Sequence, residues 1–211
     1  MPAPLAILFD ADGVIQRPGA DFRAACSALL GASGDALDVF MRELFAVEKP
    51  ALTGERDFVV DLSGVLERHG AAERITEALA IWTAIEIDAA MHTEIATLRK
   101  NGIVCCLATN QQPYRGAHMS KTMGYRELFD HEFYSHALGF AKPDSRYFRA
   151  IADRLALTPE QLLFIDDHES NVLAAREVGL HAELFPRTFS SSAAELHAIL
   201  QRHGLGPAVA S

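Results

Sequence analysis

Four short apolar runs restrict what this chain can fold into more than any other feature: Leu5–Phe9 (LAILF), Ile103–Ala108 (IVCCLA), Leu162–Ile165 (LLFI) and Ala182–Phe185 (AELF). Runs this short, apolar throughout and closed by polar or turn residues, read as strands buried on both faces, as in a parallel sheet. Glu132–Tyr134 is a fifth, weaker candidate. Helical patterns lie between the runs. Met91, Ile95 and Leu98 share one face of 89–100, which ends in Arg99–Lys100 ahead of Gly102. Tyr147, Phe148, Ile151 and Leu155 line a face of 146–155, and 171–178 runs into Gly179. Strands alternating with helices predict a doubly wound α/β sheet.

From about Gln16 to Asp88 the alternation stops. The segments 22–30, 36–47, 58–69 and 75–85 read as helices, separated by Gly31–Gly34, Pro50–Gly54 and Gly70, with no strand among them. The expected organisation is therefore an α/β core made of 1–15 and 89–211, with a small all-helical domain, 16–88, inserted after the first strand. The 211 residues suffice for one core and a small insertion. No internal repeat or low-complexity tract interrupts the chain.

A net charge of −9 argues against nucleic acid as a partner, since phosphate backbones require clustered Lys and Arg. No apolar run reaches the roughly 20 residues of a bilayer span. The start MPAPLAILFDADG lacks the basic opening of a secretory signal. The cysteines are Cys26 and the adjacent Cys105 and Cys106, an odd number that fits reduced core thiols better than a disulfide framework. A cytoplasmic protein, with neither nucleic acid nor membrane as partner, is the expectation.

In an open α/β sheet the ligand crevice lies beyond the carboxyl ends of the strands. After LAILF stand Asp10 and Asp12, followed by Gly13, which eases a turn. One carboxylate there could act as a nucleophile toward phosphorus and the other as a proton donor; an acidic loop capping the strand is the plainer reading. After IVCCLA stand Thr109 and Asn110, hydrogen-bond donors for phosphoryl oxygens or caps for the next helix. Lys142 precedes Pro143, which holds the lysine in extended backbone; it could offset phosphate charge or simply be a solvated surface lysine. After LLFI come Asp166 and Asp167, then His168, Glu169, Ser170 and Asn171. Adjacent acids at the end of a buried strand suit Mg²⁺, although Asp167 could equally cap a helix.

In this order the segments resemble the four motifs of the haloacid dehalogenase superfamily. DADGV resembles its DxDG[TV] motif, Thr109 the Ser/Thr of the second, Lys142 the lysine of the third, and DDHESN the acidic fourth. The helical insertion resembles the cap of the subgroup containing dehalogenases, β-phosphoglucomutase-like enzymes and sugar phosphatases. The resemblance implies a Mg²⁺-dependent phosphatase cleaving a sugar phosphate or similar small phosphometabolite through an aspartyl-phosphate. It implies Asp10 as nucleophile and metal ligand, and Asp12 as general acid and base with its backbone carbonyl on the metal. Thr109, Asn110 and Lys142 would bind the phosphoryl group. Asp167 would be the fourth-motif metal ligand, with Asp166 the second choice. A phosphomutase, a 2-haloacid dehalogenase and a non-catalytic binding protein are the alternatives. Dehalogenases lack the second acid, so Asp12 favours phosphoryl chemistry. Gln111, Gln112, Tyr114 and Arg115 are candidates for the pocket mouth, Trp82 for packing and His168 for solvent or a cap. The state is a monomer or a homodimer.

Overall fold

The computed structural model describes residues 3–186 and 191–205. Strand β1 (Ala6–Phe9) is buried along its whole length. The chain then forms the short strand β2 (Gln16–Pro18) and four helices: α1 (Phe22–Leu30), α2 (Gly34–Ala51), α3 (Phe58–Arg68) and α4 (Ile75–Thr83). Strand β3 (Ile85–Ile87) pairs antiparallel with β2, Gln16 opposite Ile87 and Pro18 opposite Ile85. The stretch expected to be wholly helical therefore begins and ends on a two-stranded ribbon. Three-residue strands are too short to show a periodicity in sequence, and pairing across nearly seventy positions leaves no local signal.

Beyond the ribbon come α5 (Ala89–Lys100), β4 (Val104–Thr109), α6 (Pro113–Ala117), a π-helical turn at His118–Thr122, and α7 (Tyr125–Leu128). The order continues with β5 (His131–Tyr134), α8 (Ser135–Leu138), α9 (Ser145–Leu155), β6 (Leu162–Asp166), α10 (Glu169–Val178), β7 (His181–Leu184) and α11 (Ser192–Arg202). The main sheet has five strands in the order β5-β4-β1-β6-β7, every pair parallel. β1 lies at its centre, with Phe9 opposite Leu107 on one side and Ile165 on the other. The ends of β1, β4 and β6 are thereby brought side by side.

The apolar runs are two-faced, as their composition requires. Ile7, Phe9, Cys105, Leu107, Leu163 and Ile165 pack on one face against Met91, Ile95 and α11. Ala6, Leu8, Cys106, Leu162 and Phe164 pack on the other against Tyr147, Phe148 and Ile151. All three cysteines are buried free thiols. The helices α1–α4 enclose a separate cluster built on Phe40, Leu44, Phe58, Leu62 and Trp82. Asp21 and Asp57 cap α1 and α3 through their side chains. Among the described residues no single helix is long and apolar enough to cross a membrane. Positions 187–190 and 206–211 of the expected core lie outside the described residues.

Candidate active site

The end of β1 turns sharply. The amides of Ile15 and Gln16 donate to the Ala11 carbonyl at 2.9 and 3.1 Å, and Gly13 N–H donates to Gln16 O at 2.8 Å. Gly13 sits at φ +82°, and a Cβ there would overlap the Asp167 carboxylate. Glycine is needed twice over at this position, for the backbone angle and for the approach of the acid.

Lys142 lies under this turn. It is 5% exposed, not the solvated surface lysine that the plainer reading allowed. Its Nζ stands 2.8 Å from Asp10 Oδ1 and donates to Asp166 Oδ2 at 2.7 Å and to the Ala108 carbonyl at 2.9 Å. Asp166 is fully buried and heavily bound: it also accepts from His168 N–H at 2.7 Å and from Asn171 Nδ2 at 3.0 and 3.1 Å. Burial works against its charge, yet Lys142 and these donors hold its carboxyl below the ordinary value. Asp10 has less help, and burial pushes its carboxyl upward against the pull of Lys142.

Asp167 turns its carboxylate toward Gly13 and meets His168 Nδ1 at 2.7 Å. It does not cap α10, whose N-cap position is held by His168. Ligand atoms of Asp10, Asp166, Asp167 and His168 all lie within 4.8 Å of one another. Thr109 is buried and accepts a 3.2 Å hydrogen bond from Gln111 Nε2. Neither it nor Asn110 caps the next helix; Gln112 does so by accepting from Arg115 N–H. Asn110 braces the lysine: its Nδ2 donates to Lys142 O and its Oδ1 accepts from Lys142 N–H, both at 2.8 Å. Its side chain, expected to bind phosphate, is directed to the Lys142 backbone.

Asp12 stands apart, in a network that sequence reasoning only partly anticipated. Arg115 grips it with both guanidinium ends, Nη1 to Oδ2 at 2.6 Å and Nη2 to Oδ1 at 2.8 Å. Gln16 Nε2 and Gln111 Nε2 each donate to it at 2.9 Å. Burial raises the Asp12 carboxyl, but Arg115 and the two amides outweigh it and bring the pKa down to about 2. Arg115 also donates from Nε to Trp82 O at 2.7 Å and from Nη1 to Gln111 Oε1 at 2.7 Å. Arg115 thus joins the end of α4 to the first acidic turn. Gln16 and Glu48 carry no motif, and only the fold shows that they approach the site. Tyr114 belongs to a different groove, beside Phe58 and Pro113.

Next to Asp12 opens a cleft of about 280 Å³ between the helical layer and the sheet, walled by Phe22, Leu52 and Trp82 and by Glu48, Gln111 and Arg115. Trp82 packs in the helical core, as expected, and also donates from its indole to Glu48 Oε1 at 2.6 Å. Burial pushes the Glu48 carboxyl upward, partly offset by that bond.

The family model for haloacid dehalogenase-like hydrolases matches residues 4–179. Phosphoglycolate phosphatase 1 of Pseudomonas aeruginosa is 27% identical over 190 residues, 84% of this chain and 67% of that protein. A GMP/IMP nucleotidase of Escherichia coli is 31% identical over 86 residues, 41% of this chain and 39% of its own length. Among solved structures, a HAD family enzyme of Bacteroides thetaiotaomicron in complex with magnesium and inorganic phosphate superposes with a TM-score of 0.72. That pair is 20% identical, covering 87% of this chain and 95% of the other. A dehalogenase superposes at 0.64 and 16% identity, over 95% of this chain and 98% of its own, so the fold alone does not separate the two chemistries. On the strength of the model matched from the first strand to the end of α10, the chain belongs to the haloacid dehalogenase-like hydrolases.

Proposed function

We propose that the protein is a Mg²⁺-dependent phosphatase acting on small phosphate monoesters, with Asp10 as nucleophile. The observation that carries this reading is the charge balance beneath the β1 turn. One buried ammonium, Lys142, serves both Asp10 and Asp166, and Asp167 adds a third acid. Asp10 and Asp166, sharing one ammonium, leave a negative charge that a further cation would balance. Oxygen donors of this kind suit Mg²⁺, which takes one or two carboxylates and completes its octahedron with water and phosphoryl oxygen. Asp10 and Asp167 would hold the ion, with the Asp12 backbone carbonyl. Asp166, already bound by Lys142, His168 N–H and Asn171, is better suited to positioning the lysine. When bound, the ion would draw charge from the phosphoryl oxygens and steady the Asp10 carboxylate.

The protein's own groups supply the remaining steps. Asp10 attacks phosphorus in line with the ester oxygen, which leaves with a proton from Asp12. The aspartyl-phosphate is then hydrolysed by a water that gives its proton to Asp12. Thr109 Oγ1 and Lys142 Nζ, at the ends of their segments, offset charge on the transferring group. The Arg115 grip keeps Asp12 ionised at rest, the form required for the second half-reaction. For the first, Asp12 takes up a proton as the phosphate dianion enters beside it, since a neighbouring negative charge favours the neutral acid. The helical layer of 16–88 serves as a cap that excludes water from this step.

The test is release of p-nitrophenol from p-nitrophenyl phosphate with Mg²⁺ and with EDTA, beside chloride release from chloroacetate. Metal-dependent phosphatase activity without dehalogenation is expected. Chloride release independent of metal would overturn the reading in favour of the dehalogenase.

A further inference from the structure

The cleft beside Asp12 receives the leaving group, since Asp12 is the acid that faces the departing oxygen. Its charge pattern restricts what that group can be. Arg115 is the cleft's cation, and four of its five N–H groups are committed: two to Asp12, one to Gln111 and one to the Trp82 carbonyl. The charge it could offer to an incoming anion is offset in the resting site by Asp12 at 2.6 Å, and Glu48 also acts on the guanidinium. Across the cleft stands Glu48 of α2. Its side chain has one hydrogen-bond partner among the described residues, the Trp82 indole on Oε1, so Oε2 is an acceptor still to be satisfied on a residue that lines the cleft. Around it the lining is apolar and aromatic, with Trp82 edge-on to Phe22 at 5.2 Å between ring centroids.

From this we infer that Glu48 selects the leaving group: an alcohol that brings a hydrogen-bond donor, hydroxyl or ammonium, to the Glu48 carboxylate, and that carries no second anionic group. The inference rests on the phosphatase reading and deepens it. The physical reason is desolvation. A carboxylate on the leaving group would enter a low-dielectric cleft facing Glu48, with Arg115 already paired, and like charges there are costly. A donor would satisfy an acceptor that otherwise loses its water when the cleft fills. The apolar wall suits the carbon face of a sugar or of a short aliphatic or aromatic alcohol, and an ammonium gains further from the aromatic rings. The related Pseudomonas protein is named for phosphoglycolate, whose leaving group carries a carboxylate; this cleft disfavours that ester.

Four phosphate esters of two-carbon alcohols, differing only at the far end, test the inference: ethyl phosphate, 2-hydroxyethyl phosphate, phosphoethanolamine and phosphoglycolate. Assays are run with Mg²⁺ at about pH 8, well above the ordinary carboxylate range. For the wild-type protein kcat/KM is expected to be higher for the hydroxyl and ammonium esters than for ethyl phosphate, and lowest for phosphoglycolate. In Glu48→Gln, which keeps an acceptor for Trp82 but loses the charge, the ratio of ammonium ester to phosphoglycolate falls by about tenfold. The two donor esters separate sugar-like from amine-bearing leaving groups. Phosphoglycolate turned over as well as the donor esters by the wild type would overturn the proposal, and so would an unchanged ratio in the variant. Turnover of p-nitrophenyl phosphate with none of the four esters accepted would also overturn it, leaving the phosphatase reading intact. Absence of all phosphate release, p-nitrophenyl phosphate included, would overturn both.

Discussion

At the scale of single residues, the decisive contrast is between Asp10 and Asp12, two carboxylates one position removed from each other. The first is buried beside one shared ammonium, and burial pushes it upward. The second is gripped by Arg115 and two amides and held at about 2. Arg115→Lys removes the two-point grip while keeping the charge. It is expected to lower kcat/KM by about tenfold, the value of one charge-assisted hydrogen bond; circular dichroism should show an unchanged fold. Wild-type rates in that variant would remove Arg115 from the account. Asp10, Asp12, Thr109 and the Asp166–Asp167 pair were legible in the sequence because each follows an apolar run, and strand ends locate a crevice; Lys142 was singled out by the proline after it. Arg115 was only one of several candidates after the second motif. Glu48 gave no signal at all, because its position in the cleft depends on how the helical layer packs, which no local pattern encodes.

At the scale of elements, the lysine segment after α8 and strand β6 hold each other through a buried ion pair. Lys142→Met leaves Asp10 and Asp166 without their cation, and a loss of about 3–5 kcal/mol in unfolding free energy is expected by urea titration in EDTA. A loss under 1 kcal/mol would mean the pair contributes little to the fold. Asp130, just before β5, ties α5 to β4: it accepts from Arg99 Nη2 at 2.8 Å and from Cys105 N–H at 2.9 Å. Burial opposes its charge, but these donors hold its carboxyl below the ordinary 3.8. A depressed folded value contributes stability that is fully present above about pH 4 and is lost as the pH falls through the folded pKa. The stability gap between wild type and Asp130→Asn should therefore be constant near neutrality and narrow on acidification below that point. A gap that widens on acidification would reverse the sign of the argument. The strands and longer helices of this layer could be read from periodicity to within a few residues. The ribbon of β2 and β3 could not, since its pairing joins Gln16 to Ile87 and three residues show no period.

At the scale of the whole molecule, the parallel order β5-β4-β1-β6-β7 brings the three site-bearing strand ends together, while α1–α4 build a separate apolar cluster over them. The alternation of strand and helix made the first part legible, and its interruption after β1 indicated the second. The crossing of the two layers through Arg115 and Trp82 was not legible, because it joins positions far apart in the chain. A cation bound beneath the β1 turn stabilises the folded chain by mass action, about 2.7 kcal/mol at a hundredfold excess over Kd. Mg²⁺ should therefore raise the Tm of the wild type, and raise it less in Asp167→Asn; an equal rise in both would remove Asp167 from the metal site. The central claim is that Asp10 carries the phosphoryl group. The most direct measurement is mass spectrometry of protein quenched in acid during turnover of p-nitrophenyl phosphate. The account predicts one phosphoryl adduct on the peptide containing Asp10, and neither adduct nor turnover in Asp10→Asn. Turnover that continues in Asp10→Asn would contradict it.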